Sequence, residues 1–202
     1  MVGTEKISLS TDEIRINGLE KDYVMHIGEK SLMCKLAEIT TKNGGDILEI
    51  GFGMHLSADA IQSNSNVTSH TIIEVHPEIY ENALEWSKNK PNTEILFGDW
   101  IDILPKLDKK FDGILHDTHH DENVIKFLDY IKPNCKKGTI VSFFQFHSED
   151  ARFNAYRHNL TLEEIESLPY SHNISFINGY ELKYTTFDGK SFVRDRNVKT
   201  LL

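Results

Sequence analysis

Long apolar runs are missing from this chain of 202 residues. No stretch approaches bilayer-spanning length, and the first residues, MVGTEKISLST, lack the apolar stretch of a signal peptide. Cysteine is nearly missing as well. Cys34 and Cys135 lie far apart in no CxxC spacing, which excludes a disulfide framework and fits a reducing compartment. No Lys/Arg run occurs, and the formal net charge is −9. Nucleic acid and anionic membrane would both be repelled by that overall field. Repeats and low-complexity linkers are absent, while 39% hydrophobic and 26% charged residues are ordinary for a soluble globular chain. The expectation is one cytoplasmic α/β domain over residues 1–202, monomeric or homodimeric, large enough to bury a full core.

What is present is an alternation of short apolar runs with helical periodicity, the pattern of βαβ units. Glu29–Thr40 reads as an amphipathic helix with Leu32, Met33, Leu36 and Ala37 inward. Strands are expected at Asp46–Ile50, His70–Val75, Thr93–Phe97, Phe111–His116 and Gly138–Phe146. Pro77 starts a helix with Ile79, Tyr80, Ala83 and Leu84 on one face. Helices are also expected at Asn123–Ile131 and Leu160–Leu168, with two or three β segments after Asn173. The sum is a doubly wound, mostly parallel sheet with helices on both faces, about seven strands with the last antiparallel. Ligands then bind at the carboxyl ends of the strands.

Those ends are where the chemistry-bearing residues fall. Ile47, Leu48 and Ile50 run into an acidic-x-Gly-x-Gly turn, Glu49-Ile50-Gly51-Phe52-Gly53, which opens a helix. Backbone there can lie close to a nucleotide-like ligand. The dinucleotide fingerprint needs a third glycine three residues on, where this chain has Leu56, whose side chain would obstruct a pyrophosphate. A turn without a phosphate cradle, preceded by an acid, suits a cationic, phosphate-free nucleoside. S-adenosylmethionine (SAM) is the common one.

Glu74 ends the second core strand, where an acid can accept both ribose hydroxyls; the alternative is a solvated strand-end carboxylate. Gly98-Asp99-Trp100 ends the third, so Asp99 would accept from an adenine amino group with the indole flanking the ring. A helix N-cap with a core tryptophan is the competing role, and both can hold together. His116-Asp117-Thr118-His119-His120-Asp121 crowds three histidines with two aspartates. A metal site is disfavoured there, because consecutive strand residues point to opposite faces. The reading preferred is that Asp117, beside a methyl donor, receives a cationic nitrogen. Adenine amino-methyltransferases carry Asp/Asn-Pro-Pro-Tyr/Phe at this position, and HDTH lacks those prolines.

Four blocks resemble the guanidinoacetate N-methyltransferase family and its relatives, which include fungal arginine δ-N-methyltransferases. They are VMHIGEKSLM, with Val24, Met25, Glu29 and Met33; Gly45–Gln62, including Phe52, Met54 and Gln62; Leu96–Leu107, with its Gly-x-Trp; and FDGILHDT at Phe111–Thr118. They occur in family order over roughly residues 22–148. The resemblance implies a Rossmann-like class I methyltransferase fold, divided into an N-terminal segment with lid and helix (1–41), a SAM-binding core (42–148) and a C-terminal helix and strands (149–202). It also implies that Met25, Phe52, Gly53, Glu74, Asp99 and Trp100 contact SAM, with Glu49, Gly51, Met54, Val75 and Gly98 completing that side. Glu29 and Asp117 would hold the guanidino nitrogens and act as the catalytic carboxylates, with Thr118, Gln145 and Phe146 lining the acceptor. His116 replaces the family's tyrosine, His119-His120 its Tyr-Pro, and Gln145-Phe146 the small or hydroxylic residues that bind the acceptor's carboxylate. A small guanidino compound is therefore the first acceptor expected. Alternatives are a protein arginine, an imidazole, an oxygen nucleophile, or a SAM-binding module without catalysis.

Overall fold

The computed structural model describes residues 6–16, 23–118, 127–145, 175–177, 180–187, 189–190 and 192–193. At the N-terminal end, β1 (Ile7–Leu9), β2 (Glu13–Ile16) and β3 (Tyr23–His26) form a small antiparallel sheet. A 3₁₀ turn at Ile27–Glu29 leads into α1 (Lys30–Thr40). The core follows as β4 (Gly45–Ile50), α2 (Leu56–Ser63), β5 (Val67–Glu74), α3 (Pro77–Ser87), β6 (Thr93–Phe97), α4 (Trp100–Ile103), β7 (Phe111–His116), α5 (Phe127–Ile131) and β8 (Cys135–Gln145). Three further strands, β9 (Ser175–Ile177), β10 (Tyr180–Phe187) and β11 (Phe192–Val193), complete an eight-stranded sheet. Its order is β11-β10-β8-β7-β4-β5-β6, with β9 on β10.

Strands β4 through β8 are mutually parallel where they pair, whereas β10 runs antiparallel to β8. From β4 the chain winds outward through β5 to β6, then returns to the other side of β4 as β7. The winding direction therefore reverses between β4 and β7, and sheets of this kind bind their ligands at such a switch point, beyond the carboxyl ends. Strand alternation decides which helices cover which face. Leu48, Ile50, Ile73, Ile114 and Val141 pack with Trp100, Leu104, Phe127 and Ile131 from α4, the turn after it and α5. Ile47 and Leu115 point the other way, onto Leu32, Met33, Leu36 and Ala37 of α1 and Leu56 and Ile61 of α2. Ile72 meets Phe52, Ala58, Ile79 and Ala83 on that same side. Burial on both faces explains the near-continuous apolar runs of β4 and β7, each such side chain contributing about 1.5–3 kcal/mol.

The doubly wound, mostly parallel sheet is as expected; among the described residues it holds eight strands, with β9, β10 and β11 beyond the parallel set. Several finer expectations need correction. The segment ahead of α1 is strand-rich: Ile7 on β1 and Ile14 on β2, one buried position per strand, cluster with Phe52 and Ile79, too few for a readable period. Glu29 lies in the 3₁₀ turn and α1 starts at Lys30, because His26 and Glu29 form a reciprocal capping box ahead of it. β5 begins earlier than expected, at Val67, and β8 earlier, at Cys135. Leu160–Leu168 and residues 123–126 lie outside the described residues. Among those described, no helix is long and apolar enough to cross a membrane.

Candidate active site

The turn after β4 is coiled by three residues with positive φ: Gly51 (89°), Gly53 (50°) and His55 (54°). Its glycines are required by close approach as well as by backbone angle. A Cβ on Gly51 would lie 2.1 Å from the carbonyl oxygen of Asp117, and one on Gly53 would lie 2.8 Å from the Met25 sulfur. Three strands hold the turn. The Gly51 N–H donates to the Ile73 carbonyl at 2.9 Å, the Asp117 N–H donates to the Ile50 carbonyl at 3.0 Å, and the Phe52 N–H donates to the Glu74 carboxylate at 2.9 Å. Met25, on β3, reaches over the turn, and its sulfur accepts the Met54 N–H at 3.2 Å. Leu56, at the position a third glycine would take, is buried against the α1 side of the core.

Acidic groups gather at the switch point. Burial first, then the charges of Glu29 and Glu49, together push the Asp117 carboxyl up to about 7. Burial also raises Glu29, whose carboxylate accepts the His26 N–H at 2.9 Å. The β3–α1 connection thus delivers Glu29 to the electrostatic neighbourhood of Asp117. Glu74 is nearly buried and raised for the same reason, and it accepts the N–H groups of His76 at 2.7 Å and Phe52 at 2.9 Å. Carboxyls whose proton affinity is raised in one another's field form a receptor for positive charge, because a cation entering among them relieves the repulsion.

The structure gives some expected residues a scaffold task. Glu49 is fully buried and takes hydrogen bonds from the Ser57 hydroxyl and from His70 Nε2 at 2.9 Å, so its side chain is engaged inside the protein rather than lining the turn's open face. Phe52 is likewise interior, edge-on to Trp86 at 5.3 Å between ring centroids. Asp99 caps α4 by accepting the Ile101 N–H at 3.0 Å, while Trp100 packs edge-on against His116, Phe127 and Tyr130. Val75 and Thr118 are half-buried at the ends of β5 and β7, and Gly98 donates to the Glu74 carbonyl at 2.9 Å. Gln145 ends β8; Phe146, His119 and His120 lie outside the described residues. No group of three or more metal-ligating side chains occurs among those described. Sequence reasoning missed His70 and Ser57, whose signal was a polar side chain inside an otherwise apolar strand or helix face.

The residues present fit SAM. Close backbone approach at two glycines, a thioether over the turn, a carboxylate at the end of β5 and the acidic groups at the switch point suit a phosphate-free nucleoside carrying a positive charge. Comparison with known proteins agrees. The protein arginine N-methyltransferase 2 of Yarrowia lipolytica is 25% identical over 187 residues, covering 85% of this chain and 38% of that protein. Its Candida glabrata namesake is 34% identical over 146 residues, covering 66% of this chain and 35% of its own. The chain thus spans under two-fifths of the length of these curated relatives. The O-methyltransferase TomG of Streptomyces achromogenes, solved in complex with SAM, superposes with a TM-score of 0.58 at 15% identity over 79% of each chain, which shows the shared fold. The profile of guanidinoacetate N-methyltransferases matches residues 7–144, and with the fold and the acidic switch point in place, this chain belongs to that family of SAM-dependent methyltransferases.

Proposed function

We propose that this chain methylates a guanidino nitrogen of a small guanidino compound, with SAM as donor. The observation that carries the reading is the carboxyl group of Asp117, held up to about 7 by burial and by the facing charges of Glu29 and Glu49. When bound, SAM supplies an electrophilic methyl group on a sulfonium. The remaining work falls to the chain. The glycine turn and Met25 seat the nucleoside, and Glu74 is the candidate partner of its ribose. A guanidinium, with pKa about 12.5 or above, arrives protonated and is a poor nucleophile. Asp117, losing its proton as the cation binds, grips two of its nitrogens with charge-assisted hydrogen bonds, and Glu29 supplies a second grip. These contacts localise positive charge on the nitrogens that do not react, restoring lone-pair character to the one that does. In-line positioning supplies much of the acceleration, and Asp117 accepts the departing proton.

A second reading, transfer to an arginine side chain of a protein, is favoured by the names of the relatives and by the sequence Gln145-Phe146, which departs from the small or hydroxylic pair expected for a free acceptor's carboxylate. Labelled SAM, offered with guanidinoacetate, arginine, agmatine and a protein pool, separates the two once products are identified by mass spectrometry. Label on a free guanidino compound supports the first reading and label on protein arginine the second. Label on neither removes both.

A further inference from the structure

Behind the glycine turn lies a chain of hydrogen bonds that the proposed reaction does not use. The Ser57 hydroxyl donates to one oxygen of Glu49, and His70 Nε2 lies 2.9 Å from the other. On the far side of the ring, the Gln62 amide nitrogen is 3.2 Å from His70 Nδ1 and donates to the Thr93 hydroxyl at 3.0 Å. The Glu49 and His70 side chains are both fully buried. An amide nitrogen only donates, so His70 Nδ1 accepts, and the ring proton sits on Nε2, aimed at Glu49. Four elements, α2, β4, β5 and β6, therefore fix one tautomer and one carboxylate orientation.

A buried carboxylate with its hydrogen-bond partner is a weak source of stability, since an apolar replacement of similar shape is often as stable or more so. Its location suggests another purpose. Glu49 and Asp117 stand at the carboxyl ends of the neighbouring strands β4 and β7, joined by the Asp117 N–H bond to Ile50. We propose that His70 is a positioning residue for the methyl-transfer site. By donating into Glu49 from a tautomer locked by Gln62, it holds a negative charge directly behind the glycine turn, where it faces Asp117 and the seat of a cationic donor. The inference rests on the methyl-transfer reading and assigns a task to a side chain that touches neither substrate. The groups facing Asp117 are then Glu29 from the 3₁₀ turn and Glu49 from β4; those facing Glu49 are Ser57 and His70.

The test compares the wild type with Glu49→Gln, His70→Leu and His70→Gln. It measures kcat/KM against pH with the guanidino acceptor, and the ratio of affinities for SAM and for its uncharged demethylated thioether by calorimetry. Removing the charge or its donor should move the acid limb of the profile down by about half to one pH unit. It should also erode the preference for the sulfonium about three- to tenfold. His70→Gln, which retains an N–H donor, should stay near wild type in both. If Glu49→Gln and His70→Leu lower only the melting temperature, with limb and ratio unmoved, His70 is purely structural and the inference is overturned. If His70→Leu fails to fold, Glu49→Gln decides on the same two readouts. A wild-type chain that transfers methyl to no guanidino acceptor sinks the proposed activity separately, and the affinity ratio alone then decides the role of His70.

Discussion

Asp117 differs from an ordinary strand-end aspartate because three costs coincide on it: burial, the charge of Glu29 and the charge of Glu49. Its proton must leave before it can grip the cation and act as the base, so kcat/KM should fall as pH drops through about 7, the value to which its carboxyl is pushed. Asp117→Asn keeps the shape and loses the base. A drop in turnover of about 10³ is expected, with affinity for SAM within several-fold of wild type, as read by radiolabel transfer and calorimetry. The same substitution should stabilise the apo protein at neutral and alkaline pH. A carboxyl whose folded pKa is raised binds its proton more readily in the native state, so stability is lost as pH climbs from about 4 to about 7. Replacing Asp117 should flatten that slope, a gain of about 1–2 kcal/mol at pH 8 in denaturant melts. Retention of both full turnover and the wild-type slope would remove Asp117 from the mechanism.

At the scale of elements, the turns at the ends of β4 and β6 decide how the site is framed. Gly51→Ala would place a Cβ 2.1 Å from the Asp117 carbonyl oxygen at a φ of 89°, so β4 and β7 must separate. We expect a loss of about 2–4 kcal/mol in urea unfolding, and cofactor binding too weak to saturate. Asp99 offers a sharper separation of roles. Asp99→Ala removes the N-cap of α4 and should cost about 1 kcal/mol, whereas Asp99→Asn preserves the cap. If affinity for SAM falls with both, Asp99 also touches the donor; if it tracks stability alone, the cap is its whole task. Legibility differed between these elements. The turn after β4 was readable because Gly51 and Gly53 punctuate an apolar strand. The antiparallel β1–β3 sheet was not, because its strands are three or four residues long and its inward positions are few.

Across the whole molecule, stability is shaped at the end of the sheet opposite the site. Asp46 and Asp112, at the starts of β4 and β7, share Lys136 at 2.8 and 2.7 Å, and the Asp46 carboxyl is lowered to about 2, first by that bond and then by Ser69. A lowered pKa contributes stability that is present above about 4 and lost as pH falls through about 2. Lys136→Met should therefore cost about 1 kcal/mol at neutral pH, raise the midpoint of acid unfolding, and lessen the salt dependence of the melting temperature. An unchanged acid midpoint would show the triad to be idle.

The amino-acid order by itself determined the βαβ winding, the sites of the glycine turn and of the strand-end acids, and the family, because apolar period and glycine spacing are local properties. Only the tertiary structure decided which acids meet. Glu49 and Asp117 are distant in the chain and adjacent in the sheet, since the winding reverses between β4 and β7. The fold also turned Glu49, Phe52 and Trp100 into the interior, because the faces of a strand and a helix are assigned by what packs on them. His70, a polar residue in an apolar strand, acquired its partners in the same way: burial demanded a hydrogen bond at each ring nitrogen, and two separate elements, α2 and β4, supplied them.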